Sequence, residues 1–76
     1  MERSVNTPKY KRFQDWLIKS RVAKELTQIE FAKLLNEHQS YVSKIESGEK
    51  RISVQEYAQI VKVLGIDPLE GLKILE

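Results

Sequence analysis

Residues 27–48 read TQIEFAKLLNEHQSYVSKIESG, and the punctuation of this stretch decides the fold. Thr27 followed three residues later by Glu30 forms a capping box: the hydroxyl accepts from the Glu30 amide while the carboxylate reaches back to the Thr27 amide. Phe31, Ala32 and Leu35 supply one apolar face at helical spacing, and Asn36 is a residue that tolerates the left-handed conformation ending helices. A short helix over 28–35 is expected. A second helical pattern runs over 39–47, with Val42 and Ile45 inward and Gly48 as its stop. The centre of the chain is thus two short helices joined by a tight turn at 36–38.

Working outward, Thr7-Pro8 reads as a cap followed by proline at the first helical position. Tyr10, Phe13, Leu17 and Ser20/Arg21 recur at helical spacing from there to residue 22 or 23, with Trp16 beside the stripe. Residues 1–7 are expected to be flexible. Downstream, Ile52 is apolar in a polar loop and is expected to tuck under the core. Ser53 and Glu56 form a second capping box, opening a helix with Val54, Tyr57, Ile60, Val61 and Leu64 inward. Gly65 closes it, and Ile66 is placed for the apolar contact that accompanies such a cap. Asp67-Pro68 opens a last helix bearing Leu69, Leu72, Ile74 and Leu75. Strand patterns, repeats and linkers are not evident, so the class is all-α: five helices in one domain over 1–76.

The chain has 76 residues and no cysteine, which leaves neither disulfides nor a thiolate metal site to hold it together. No apolar run approaches the roughly 20 residues that span a bilayer, and the N-terminus lacks the apolar stretch of a signal peptide. A cytoplasmic protein with no membrane partner is expected. Thirteen Lys and Arg against eleven Asp and Glu give a net charge of +2, too little to argue for nucleic acid by itself. Distribution says more. Lys9, Lys11, Arg12, Lys19, Arg21 and Lys24 crowd the first third, Lys44, Lys50 and Arg51 cluster later, and acidic residues gather toward the C-terminus.

A short helix that is apolar underneath and polar outside fits the major groove of B-DNA, about 12 Å wide. The second central helix leaves Gln39, Ser40, Ser43 and Lys44 facing outward. Glutamine pairs bidentately with adenine, serine is permissive, and lysine reaches guanine or a phosphate. The same residues also describe an ordinary solvated helix face. Enzyme chemistry finds little to work with: one histidine, no cysteine, no glycine-rich phosphate loop and no recognisable carboxylate pair. No cofactor or metal is expected, and His38, the single histidine, reads as a cap or phosphate contact.

Residues 17–68 resemble the Cro/repressor-type helix-turn-helix proteins, the XRE family, over about two thirds of the chain. The resemblance rests on Leu26-Thr27-Gln28, Phe31-Ala32, Leu35, the run from Gln39 through Glu46 to Ser47-Gly48, and the stretch from Ala58 to Leu64-Gly65-Ile66-Asp67-Pro68. It implies a lambda-repressor-like five-helix domain that binds double-stranded DNA and regulates transcription. By that resemblance Gln28 holds a phosphate at a helix N-terminus and braces Gln39, which reads a base. Ser40, Ser43 and Lys44 match base- or phosphate-contacting positions, and Ser47, Lys50 and Arg51 lie where the family clasps the backbone. Arg21 and Glu46 match an internal ion pair linking the first helix to the recognition helix. Glu25 stands where the family usually has glycine, which hints at a different turn, and Glu37 stands near the DNA side.

One short helix touches few bases, so a homodimer on a pseudo-palindrome is expected, with half-sites about 34–36 Å or a multiple apart. Leu69, Leu72, Ile74 and Leu75, within residues 67–76, are the candidate dimer surface, with Ile29 and Trp16 as alternatives. No effector domain is evident, so no small-molecule ligand is expected. A protein-interaction module of antitoxin or adaptor type, docking a partner on the last helix, is the competing reading.

Overall fold

The computed structural model describes residues 7–76. Five helices follow one another: α1 (Pro8–Ala23), α2 (Gln28–Leu35), α3 (Gln39–Ser47), α4 (Val54–Leu64) and α5 (Pro68–Leu75). There is no strand among the described residues, and none of these helices is long and apolar enough to cross a membrane. The flexibility expected of the N-terminus falls outside the described residues except at Thr7, whose hydroxyl accepts from the Tyr10 amide at 3.1 Å and caps α1.

The helix boundaries follow from the caps. Glu30 donates its amide to Thr27 at 3.1 Å while its carboxylate accepts from the Thr27 amide at 2.8 Å. Ser53 and Glu56 repeat this at 3.1 and 2.7 Å. Each such cap is worth about 1 kcal/mol. Asn36, Gly48 and Gly65 end α2, α3 and α4 in the left-handed conformation, with φ of 61°, 87° and 64°. The cap of α3 differs from expectation: the His38 side chain makes no capping bond. An imidazole on this exposed residue does not turn back to the amides of its own first turn as a short hydroxyl or carboxylate side chain does.

Glu25 also has a left-handed φ, 59°. The turn between α1 and α2 therefore has the conformation glycine would supply, not a different one. Its backbone is held by bonds from the Glu25 amide to the Val22 carbonyl (2.8 Å) and from the Leu26 amide to the Arg21 carbonyl (3.3 Å). A side chain in this region costs about 1 kcal/mol, partly offset by the extra freedom glycine loses on folding. Glu25→Gly is expected to raise stability by at most about 0.5 kcal/mol in urea denaturation. A loss would show that the glutamate side chain contributes more than its backbone costs.

The core gathers Phe13 and Leu17 from α1, Phe31, Ala32 and Leu35 from α2, Val42 and Ile45 from α3, and Ile60 and Leu64 from α4. Ile52 and Ile66 pack on its edge as expected. Two positions depart from the expected pattern. Val54 continues the α4 stripe by spacing, yet at the first position of the helix it is 87% exposed. Gln14 is 8% exposed, beside Lys11, Asp15, Glu46 and Ser47. Its place beside Phe13 and three residues before Leu17 was the available signal, and its amide donates to the Glu46 carbonyl at 3.1 Å.

α5 packs on α1 through Gly71. A Cβ at Gly71 would lie 2.6 Å from the Trp16 ring and 2.4 Å from the Tyr57 hydroxyl. Trp16, Phe13 and Tyr57 pack mutually as tilted rings with centroids 5.7–6.5 Å apart. Trp16 donates its ring N–H to Glu70 at 3.3 Å, and the Tyr57 hydroxyl donates to the Pro68 carbonyl. Burial, then the charges of Asp67 and Glu70, push the Tyr57 hydroxyl above its ordinary pKa. Trp16 and Ile74 are partly buried against the core of their own chain. Leu69, Leu72 and Leu75 remain 59%, 47% and 38% exposed.

Candidate nucleic-acid interface

α3 is pinned by Val42 and Ile45, which are fully buried. That burial determines which side faces out. Gln39, Ser40, Ser43, Lys44 and Ser47, at steps of one, three, one and three residues, lie along one exposed strip. Ser47 donates its hydroxyl to the Lys44 carbonyl at 3.1 Å and accepts from the Glu49 amide at 3.4 Å, closing the helix end. Arg51 is exposed in the loop beyond.

Behind this strip the side chains form a continuous chain of hydrogen bonds. Arg21 Nε lies 2.7 Å from Glu46 Oε2 and Nη2 lies 3.1 Å from Oε1, a bidentate pair. The third guanidinium nitrogen, Nη1, donates to the Leu26 carbonyl at 2.6 Å. The two side chains are 12% and 7% exposed. Gln28 Nε2 then donates to Glu46 Oε1 at 3.0 Å, and Gln39 Nε2 donates to Gln28 Oε1 at 3.4 Å.

The chemistry of this chain orients Gln39. An ionised carboxylate only accepts, so Glu46 requires Gln28 to present its NH₂ group. Gln28 then offers its carbonyl oxygen to Gln39, which must answer with its own NH₂. One amide hydrogen and the carbonyl oxygen of Gln39 are left over, the donor–acceptor pair that matches N7 and the N6 amino group of adenine. Arg21 thus acts on the outward face through two intermediaries.

The loop after α3 holds a second network, absent from the expected site. Lys50 Nζ lies 3.2 Å from Glu56 Oε2 and 3.3 Å from the Arg51 carbonyl. It stands 5.8 Å over the centroid of the Tyr41 ring, whose hydroxyl donates to Glu56 Oε2 at 3.0 Å. The Ser53 amide chiefly, against the opposing effect of burial and with help from Lys50 and Tyr41, lowers the Glu56 carboxyl to about 2. Burial first, then Glu56, raises the Tyr41 hydroxyl above its ordinary value. Sequence spacing identified Glu56 as a cap but not as the partner of Lys50, which the structure brings onto the carboxylate. His38 and Glu37 lie at the rim of the site, exposed beside Lys33 and Asn36. No cluster of three or more His, Cys, Asp or Glu able to hold a metal occurs among the described residues.

Comparison with known proteins agrees with this geometry. A family model described as Helix-turn-helix matches residues 17–70. An XRE-family like protein from Pseudomonas syringae pv. tomato str. DC3000 is 37% identical, with 86% of this chain and 79% of that chain covered and a TM-score of 0.78. No curated protein matches significantly. With five helices, a two-helix reading unit at α2 and α3, and these matches, the chain belongs to the XRE-type helix-turn-helix family of Cro- and repressor-like proteins, a fold of DNA-binding transcription regulators.

Proposed function

We propose that this protein binds double-stranded DNA in a sequence-specific manner and regulates transcription as a homodimer on a pseudo-palindromic site. The observation that carries the reading is the bonded chain Arg21–Glu46–Gln28–Gln39, which presents the Gln39 amide in one orientation on an exposed helix face. Gln39 is the base reader. Ser40, Ser43 and Lys44 contact neighbouring base edges or phosphates, Gln28 holds a phosphate at the start of α2, and Ser47 and Arg51 flank the backbone. The second copy docks on the apolar face of Leu69, Leu72 and Leu75, joined by Val54. A phosphate-dominated contact steers association, while base edges specify the site.

Selection from random duplexes tests this. The expected result is a palindromic consensus with half-sites about 34–36 Å or a multiple apart. Gln39→Ala is expected to relax one position per half-site, losing about 1–3 kcal/mol of discrimination. Failure to enrich any sequence overturns the reading. The exposed leucines also favour a second reading, an antitoxin- or adaptor-like module that docks a different protein. It is supported if the purified chain sediments as a monomer and enriches no sequence.

A further inference from the structure

Lys50 is placed by sequence where a phosphate clasp is expected, but its charge is already engaged. Its ammonium is ion-paired with one oxygen of Glu56 at 3.2 Å and donates to the other at 3.4 Å and to the Arg51 carbonyl, while the Tyr41 ring lies beneath it. Glu56 cannot follow the lysine outward. The Ser53 amide holds one carboxylate oxygen at 2.7 Å and the Tyr41 hydroxyl holds the other at 3.0 Å. A phosphate approaching Lys50 therefore meets a fixed carboxylate beside the cation, and the attraction falls to that of a dipole. Resting on the DNA-binding reading above, we propose that Glu56 and Tyr41 are positioning residues that withhold Lys50 from the DNA backbone. They reduce by one the number of phosphates this surface neutralises.

The salt dependence of binding counts such charges, each phosphate neutralised adding about 0.9 to the slope of log K against log salt. The measurement uses a random-sequence duplex titrated from about 0.05 to 0.3 M salt. Glu56→Gln keeps an oxygen for the capping box, so the fold is retained. It is expected to steepen the slope by about 1 and tighten binding about fivefold to tenfold near 0.1 M salt. Tyr41→Phe moves the slope the same way by less. Lys50→Ala alone changes the slope by much less than 1, but in the Glu56→Gln background it returns the slope to that of the unsubstituted protein.

An unchanged slope in Glu56→Gln overturns the proposal. So does a steeper slope that survives in the double variant, because the effect is then the lost repulsion of Glu56 alone. A drop of about 1 on Lys50→Ala in the unsubstituted background overturns it as well. If the unsubstituted protein shows no salt-dependent binding to duplex DNA, the DNA-binding reading falls and this inference with it.

Discussion

Glu46→Ala is expected to lower the free energy of unfolding by about 3–4 kcal/mol and the melting temperature by roughly 15–25 °C, read by circular dichroism. The glutamate is 7% exposed at its side chain and accepts two bonds from Arg21 and one from Gln28. Removing it leaves a guanidinium that is 12% exposed, with only the Leu26 carbonyl as a partner. The cost is that of an uncompensated charge, larger than the net worth of the pair. Against a total of about 4–11 kcal/mol for a chain of this length, it is a large share. Arg21→Ala should lose a comparable amount by leaving the carboxylate unpaired. A loss under about 1 kcal/mol for both would place the pair with exposed surface bridges.

Gly71→Ala carries the second large effect, and here two contributions oppose each other. Alanine is favoured over glycine inside a helix by about 1 kcal/mol. Its Cβ, however, would meet the Tyr57 hydroxyl at 2.4 Å and two atoms of the Trp16 ring at 2.6 and 2.9 Å. Neither neighbour yields freely. Tyr57 is bonded to the Pro68 carbonyl, and the Trp16 ring packs at a tilt against Phe13 and Tyr57. Overpacking of this kind costs about 1–3 kcal/mol, occasionally more, and three contacts at once put it at the high end. A net loss of about 1–3 kcal/mol is expected, with a red shift in Trp16 fluorescence as α5 lifts from α1. Increased stability would show that α5 shifts by a few tenths of an ångström without penalty.

These effects sit at different removes from the sequence. The helix boundaries were legible because each is set within a few residues: Thr27 with Glu30, Ser53 with Glu56, Asn36 and Gly48 at the stops. The outward strip of Gln39, Ser40, Ser43 and Lys44 was legible for the same reason, since Val42 and Ile45 dictate the opposite face. Arg21 stood out as a charge on an apolar stripe, although its partner was suggested by resemblance. The clasp of Lys50 on Glu56 and Tyr41, the bond from Gln14 to Glu46, the exposure of Val54 and the close approach at Gly71 were not legible.

The physical reason is the span of the contacts. Caps and helix faces depend on bonds across three or four residues, which local composition encodes. Tyr41 meets Glu56 across 15 residues, Gln14 meets Glu46 across 32, and Trp16 meets Glu70 across 54. Such meetings depend on where whole helices come to rest, and many sequences with the same caps would allow others. The sequence by itself determined five helices and the face that α3 turns outward. Only the tertiary structure decided which of the charges near that face are bonded to their own chain.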